Sequence, residues 1–131
     1  MADGLSRKLK VLVVDDEKGI TAFIREALER TGRFEVREEN EGRRAASTAH
    51  AFRPDLVLLD LILGDAEGSQ VAAQVRSDAT LKDVPIVLLT AVVERAEQDS
   101  ETGGFIAGYP FIAKPVPAEE LIRRVDAHLK P

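Results

Sequence analysis

A chain of 131 residues with 44% apolar and 31% charged side chains has the composition of one globular domain, long enough to bury roughly two-thirds of its unfolded surface around a single core. A net charge of -5 without any block of one sign gives no attraction to nucleic acid, so direct DNA binding is not expected. The lack of cysteine excludes disulfides, thiolate catalysis and thiol-ligated zinc, and with no long apolar run and no signal-peptide core the expectation is a cytoplasmic protein without a membrane segment.

Residues 1–8 read as an N-terminal tail and 9–131 as one domain. Lys10-Val11-Leu12-Val13-Val14-Asp15-Asp16-Glu17 is an apolar run ending in carboxylates and predicts a strand at about 9–14. Ile20, Phe23, Ile24, Ala27 and Leu28 follow at i, i+3, i+4, i+7 and i+8, one face of a helix, with Gly32 just past its end. Phe34-Glu35-Val36-Arg37-Glu38 alternates, as an edge strand with one wet face does. The Ala-rich stretch 42–52 is helical in propensity, and Pro54 stops it.

Asp55-Leu56-Val57-Leu58-Leu59-Asp60 is a short continuous apolar run, the pattern of a strand buried on both faces. Gly64 and Gly68 bracket a loop, and Val71, Ala72 and Val75 mark a third helix. Val84-Pro85-Ile86-Val87-Leu88-Leu89-Thr90 is another buried-looking strand, ending in a hydroxyl. The stretch 94–108 has almost no apolar stripe, so a helix there is short or loosely docked, and Gly103-Gly104 reads as plain loop. Phe111-Ile112-Ala113 is a final short strand closed by Lys114-Pro115. Pro117-Ala118-Glu119-Glu120 opens a last helix whose first turn carries the acids that the helix dipole favours; its buried face is Leu121, Ile122, Val125 and Leu129. His50 and His128 fall on helices, in surface or packing roles.

Five repeats of strand then helix call for a parallel sheet covered on both sides. Parallel strands end on one edge, where open α/β sheets place their chemistry. Asp15, Asp16, Asp60, Thr90 and Lys114 should therefore converge. Carboxylates about 4 Å apart repel by roughly 4 kcal/mol per pair at an effective dielectric of about 20, so the cluster must bind a cation or hold a proton. An oxygen-only ligand set selects a hard cation such as Mg²⁺. A carboxylate beside that cation is a nucleophile toward a phosphoryl group. The metal and Lys114 would neutralise the phosphoryl oxygens, with the Thr90 hydroxyl donating to one of them. Aspartyl-phosphate formation at Asp60 is the inference.

With Val13-Val14-Asp15-Asp16-Glu17, then Asp60 with Gly68 eight residues on, then Leu89-Thr90-Ala91, then Lys114-Pro115, all in order, the chain resembles the receiver domains of two-component response regulators, including the single-domain chemotaxis type, over about residues 9–130. The resemblance implies a flavodoxin-like doubly wound (βα)5 fold with a five-stranded parallel sheet in the order 2-1-3-4-5. It implies that Asp60 is the phospho-acceptor for a sensor histidine kinase or histidine phosphotransfer protein. Asp16 and Asp60 would bind Mg²⁺ with the backbone carbonyl of Ile62, and Asp15 would do so through water. Lys114 would pair with the phosphate, across a cis Lys114–Pro115 bond. Thr90 and Phe111 would be the switch pair, the hydroxyl moving toward the phosphate and the ring moving inward, to change the surface offered to a downstream protein partner. Such a domain is not an enzyme in the conventional sense; it catalyses its own phosphorylation and dephosphorylation, as a monomer or weak dimer.

The pattern departs from the family at several points. Gly64 stands where a proline is usual, which makes the loop after Asp60 looser. The interval from Thr90 to Lys114 is about two residues longer than usual, and Ala107-Gly108-Tyr109-Pro110 replaces the usual Gly-Ala, so helix 4 is the least secure part of the carry-over. Ile62 and Val92, two residues after Asp60 and Thr90, are aliphatic where polar side chains are common, which predicts slow self-dephosphorylation. Two alternatives stand beside this reading. A small aspartyl-phosphate phosphohydrolase would want an acid/base carboxylate at position 62, where Ile cannot transfer protons. A phosphate-independent receiver-like scaffold would not need the full set of acidic and basic site residues, all of which are present.

Overall fold

Residues 11–14, 56–59 and 86–89 have almost no exposure, and this follows from their position between two layers of helix. The computed structural model describes residues 7–91, 105–106 and 108–129. In chain order these form β1 (Leu9–Val14), α1 (Lys18–Glu29), β2 (Phe34–Glu39), a 3-10 turn (Gly42–Arg44) leading into α2 (Ala45–Phe52), β3 (Leu56–Asp60), α3 (Gly68–Arg76), a second 3-10 turn (Ala79–Leu81), β4 (Ile86–Thr90), β5 (Phe105–Ile106), β6 (Tyr109–Ala113) and α4 (Ala118–Leu129).

The sheet runs β2-β1-β3-β4-β6-β5. Its first five members are parallel, which is the expected order 2-1-3-4-5 with β6 as the fifth parallel strand. Alternate residues of each central strand feed opposite faces. Leu12, Val14, Val57, Leu59, Ile86, Leu88 and Phe111 pack with Ala49 and Phe52 of α2 and Val71 and Val75 of α3. Val11, Val13, Leu56, Leu58, Val87, Leu89 and Ile112 pack with Ile24 and Leu28 of α1 and Leu121 and Val125 of α4. Two buried faces explain why these strands read as unbroken apolar runs. Ile122 and Leu129, expected on the buried face of α4, are half-buried and pack against the second of these cores.

Register then sets where each strand stops. Val14 pairs with Leu59, so Asp15 comes abreast of Asp60. Asp60 pairs with Leu89 and Thr90 with Ala113, so Thr90 and Lys114 each follow one residue beyond. Four chain segments thus deliver their polar ends to one sheet edge within two residues of one another.

Two features differ from the sequence expectation. The last parallel strand starts at Tyr109, two residues early, and it is preceded by β5, which pairs with it antiparallel, Ile106 opposite Tyr109 and Phe105 opposite Pro110. Gly108, just before Tyr109, has φ +87, a positive value that glycine adopts at little cost. The rest of 94–108, with its expected weak helix and Gly103-Gly104, lies outside the described residues, as does Val92. The end of α2, where Pro54 was expected to stop the helix, shows a further feature. Arg53, not a glycine, adopts the left-handed conformation at φ 57, and its N–H caps the carbonyl of Ala49 at 2.8 Å. Among the described residues, no helix is long and apolar enough to cross a membrane.

Candidate functional site

Asp15, Asp16 and Asp60 each place a carboxylate oxygen within 4.8 Å of the others. Asp15 and Asp60 are buried and Asp16 is exposed. Lys114, arriving from the end of β6, donates from Nζ to Asp15 Oδ2 at 2.9 Å and to Asp60 Oδ1 at 3.4 Å. The bond from Lys114 to Pro115 is cis. The Glu17 N–H donates to Asp15 Oδ1 at 3.0 Å, and the backbone N–H of Ile62 favours the ionised form of Asp60.

Among the described residues, two buried carboxylates and one exposed one face a single ammonium, and the balance is negative. Burial, followed by the charge of Asp15, pushes the Asp60 carboxyl up to about 6, against the opposing pull of Lys114 and the Ile62 N–H. Burial alone would lower the Lys114 ammonium, but its hydrogen bond to Asp15 and the charges of Asp60 and Asp15 outweigh it, so its pKa is raised and it stays charged. The cluster therefore favours either a proton on Asp60 or a further cation. Three carboxylates without histidine or sulfur form a hard oxygen donor set, and such a set fits Mg²⁺.

Asp16, Asp60, Ile62, Thr90 and Lys114 line an open cavity of about 370 Å³. Ile62 stands at its mouth, 63% exposed. Thr90 is buried at the end of β4. Phe111 pairs in register with Leu88 and is also buried; Thr90, two residues beyond Leu88, shares that face of the sheet. The ring of Phe111 belongs to the core and does not line the cavity. Of the residues singled out from sequence, Asp15, Asp16, Asp60 and Lys114 meet directly, Thr90 and Ile62 border the same cavity, and Phe111 lies behind it. His50 is exposed and pairs with Asp78 at 2.6 Å, and His128 is half-buried on α4.

The site also rests on residues that pattern reasoning passed over. Asn40 Nδ2 donates to the Asp15 carbonyl at 2.7 Å and to Thr21 Oγ1 at 3.1 Å, and the Thr21 hydroxyl lies 2.7 Å from Glu38 Oε1. This chain holds the Asp15 peptide from behind. A polar residue just after an edge strand is too common for the role to be read from sequence. Gly68, already marked in the sequence eight residues after Asp60, has a steric reason: a Cβ there would lie 2.3 Å from the Asp60 carbonyl oxygen and 2.8 Å from Leu61 Cα. Only glycine lets α3 start this close beneath the end of β3.

Comparison with known proteins agrees with this geometry. The family model described as the response regulator receiver domain matches residues 11–126. The chain is 35% identical over 121 residues to the phosphate regulon transcriptional regulatory protein PhoB of Pseudomonas aeruginosa, covering 92% of this chain and 51% of that protein. It is 35% identical over 126 residues to the probable transcriptional regulator ycf27 of Guillardia theta, covering 96% and 47%. The chain thus spans about half the length of these curated relatives. Among solved structures, the chemotaxis protein CheY4 of Vibrio cholerae superimposes with a TM-score of 0.80 at 26% identity, over 94% of this chain and all of that one. A family match across nearly the whole chain, on a sheet that brings those four strand ends together, shows that this chain belongs to the response regulator receiver domains of two-component systems.

Proposed function

We propose that Asp60 accepts a phosphoryl group from a phosphohistidine on a sensor histidine kinase or histidine phosphotransfer protein, and that the resulting change around the ends of β4 and β6 is read by a downstream protein partner. Receiver domains as a family interact with such kinases and phosphotransfer proteins and bind Mg²⁺ at an acidic pocket. The observation that supports the reading most strongly is the buried Asp60 carboxylate, hydrogen-bonded to Lys114 and opening into a cavity that Asp16 and Thr90 also border.

In the transfer, a carboxylate oxygen of Asp60 attacks phosphorus and a P–O bond forms. The P–N bond to the donor imidazole breaks, and its electron pair stays on the ring nitrogen. Asp16, Asp60 and the Ile62 carbonyl would hold Mg²⁺, with Asp15 acting through water, and the ion would neutralise charge on the phosphoryl oxygens. Lys114 shifts from its carboxylate partners to one phosphoryl oxygen, and the Thr90 hydroxyl donates to another. Phe111 is already inside the core. Movement of Thr90 therefore alters the packing beside a ring that is already buried, and Thr90 is the moving half of the switch pair. In hydrolysis water attacks phosphorus, the P–O bond to Asp60 breaks with its electron pair left on the carboxylate, and inorganic phosphate leaves with the water's oxygen; Ile62 at the cavity mouth obstructs that water and offers it no hydrogen bond.

Intact mass after incubation with a small acyl phosphate and Mg²⁺ tests the proposal. One phosphoryl adduct is expected, absent with a chelator and absent in Asp60→Asn. An adduct that survives Asp60→Asn, or fast turnover of many phosphoesters, would overturn it. Ile62→Asn should hasten loss of the adduct several-fold; an unchanged rate would remove Ile62 from the account of hydrolysis.

A further inference from the structure

The loop between β3 and α3 touches the site twice. Its Ile62 lines the same cavity as Asp60. Its Gly64 lies so close to Asp16 that a Cβ there would stand 3.1 Å from Asp16 Oδ2. Position 64 is glycine, so this loop takes no rigidity from its own residue there. Yet one residue later the chain is tied down. Asp65 accepts the Gly42 N–H at Oδ1, 2.9 Å, and the Arg43 N–H at Oδ2, 3.0 Å. Those two amides open the 3-10 turn that leads into α2. The hydrogen bond from Arg43, with help from Gly42, holds the Asp65 carboxyl below the ordinary carboxylate range, so these contacts persist at neutral pH.

A second, independent observation concerns the partner surface. A Cβ at Gly42 would meet Asp65 Oδ1 and Leu63 Cδ1, each at 2.9 Å, and Ala66 Cβ at 3.3 Å. Position 42 is thus shaped to receive this loop. Leu63 is buried in the core shared with α2 and α3, and its N–H is bonded to the Ala66 carbonyl at 3.1 Å. Between the Leu63 anchor and the Asp65 anchor lies only Gly64, the residue packed on Asp16.

We propose that Asp65 is a positioning residue for the phosphoryl-accepting site: its carboxylate latches the β3–α3 loop to the start of α2 and so holds Ile62 and Gly64 in register with Asp60 and Asp16. The proposal rests on the reading of Asp60 as phospho-acceptor and adds to it a residue that touches none of the reacting atoms. The latch replaces, with two backbone hydrogen bonds from another segment, the stiffness that glycine at 64 gives up.

The test compares Asp65→Ala, Asp65→Asn and Gly42→Ala with Asp78→Ala. Asp78 caps the other 3-10 turn through the Thr80 N–H at 2.9 Å, and it serves as a structural control. Mg²⁺ affinity is measured by titration calorimetry on the unphosphorylated protein, melting temperature by calorimetry, and the phosphorylation rate with a small acyl phosphate at low and saturating Mg²⁺. Asp65→Ala is expected to weaken Mg²⁺ binding roughly tenfold, as loss of supporting contacts does at other metal sites. It should slow phosphorylation more at low than at saturating Mg²⁺. Asp65→Asn, which keeps one acceptor oxygen, should recover part of the affinity, and Gly42→Ala should weaken it with the carboxylate still present. Asp78→Ala should lower only the melting temperature. If Asp65→Ala and Gly42→Ala leave Mg²⁺ affinity and phosphorylation within twofold of the unsubstituted chain, the latch is overturned and Asp65 is a turn cap like Asp78. If the unsubstituted chain takes no phosphoryl group, the Asp60 reading fails and takes the latch with it. Should Asp65→Ala not fold, Asp65→Asn and Gly42→Ala decide by the same affinity criterion.

Discussion

β3 has an aspartate at each end, and the two could hardly be placed more differently. Asp55, just before the strand, accepts the Lys10 N–H at 2.8 Å and gives its own N–H to the Lys10 carbonyl at 2.7 Å. Its other oxygen faces Arg7 at 3.5 Å, and both side chains reach water. Each polar atom has a partner or solvent, and the charges balance. Asp60, the last residue of the same strand, is buried beside Asp15 with one lysine between them. There the charges do not balance, and among the described residues no second cation pairs with Asp15 or Asp60. One residue type on one strand therefore terminates a ladder at one end and stores unneutralised charge at the other. Position along a parallel strand decides which, because the carboxyl edge is where the other strands also end.

Four experiments test this contrast. The largest effect is expected from exchanging the two ends: Asp60→Asn should abolish the phosphoryl adduct seen by intact mass, and Asp55→Asn should leave its yield unchanged. Next, Lys114→Met should slow phosphorylation by about a hundredfold, the scale of losing one preorganised donor to developing charge, whereas Arg7→Met at the other end should have no kinetic effect. Third, Gly68→Ala drives a Cβ into the Asp60 carbonyl and Leu61; denaturant unfolding should show a loss of about 2–3 kcal/mol, the upper range for overpacking. The smallest effect concerns pH. The Asp60 carboxyl is raised to about 6 from an ordinary value of 3.8, so the folded state binds its proton more tightly than the unfolded state does. Between those two values folding takes up a proton, and this contribution to stability grows as pH falls. Metal-free protein should gain roughly 1 kcal/mol from this group between pH 7 and pH 5. Asp60→Asn, or saturating Mg²⁺, should remove that gain in a pH series of unfolding curves.

Much of the site was legible because its signals are local. A strand covered on both faces must be apolar at every position, so β1, β3 and β4 appear as runs, and a carboxylate or hydroxyl at the end of such a run stands out. The i, i+3, i+4 spacing of Ile20, Phe23, Ile24, Ala27 and Leu28 marks α1 in the same way. Signals that depend on a distant partner were not legible. Asn40 looks like any loop residue until Thr21 and the Asp15 carbonyl are brought beside it. Asp65 looks like a solvated acid until Gly42 and Arg43 present their amides. Phe105 and Ile106 are too few to carry a period, and β5 exists only by pairing with Tyr109 and Pro110.

Residue order alone settled the kind of element at most positions, the parallel arrangement that gathers the strand ends, and the identity of the charged groups gathered there. These follow from periodicity and from the handedness of strand–helix–strand connections, which act over a few residues at a time. Tertiary structure alone decided the register that sets Asp15 beside Asp60, the depth at which each carboxylate sits, and which backbone amides hold the surrounding loops. Those depend on distances between segments far apart in the chain, and an electrostatic energy that varies with separation and burial has no counterpart in a linear pattern.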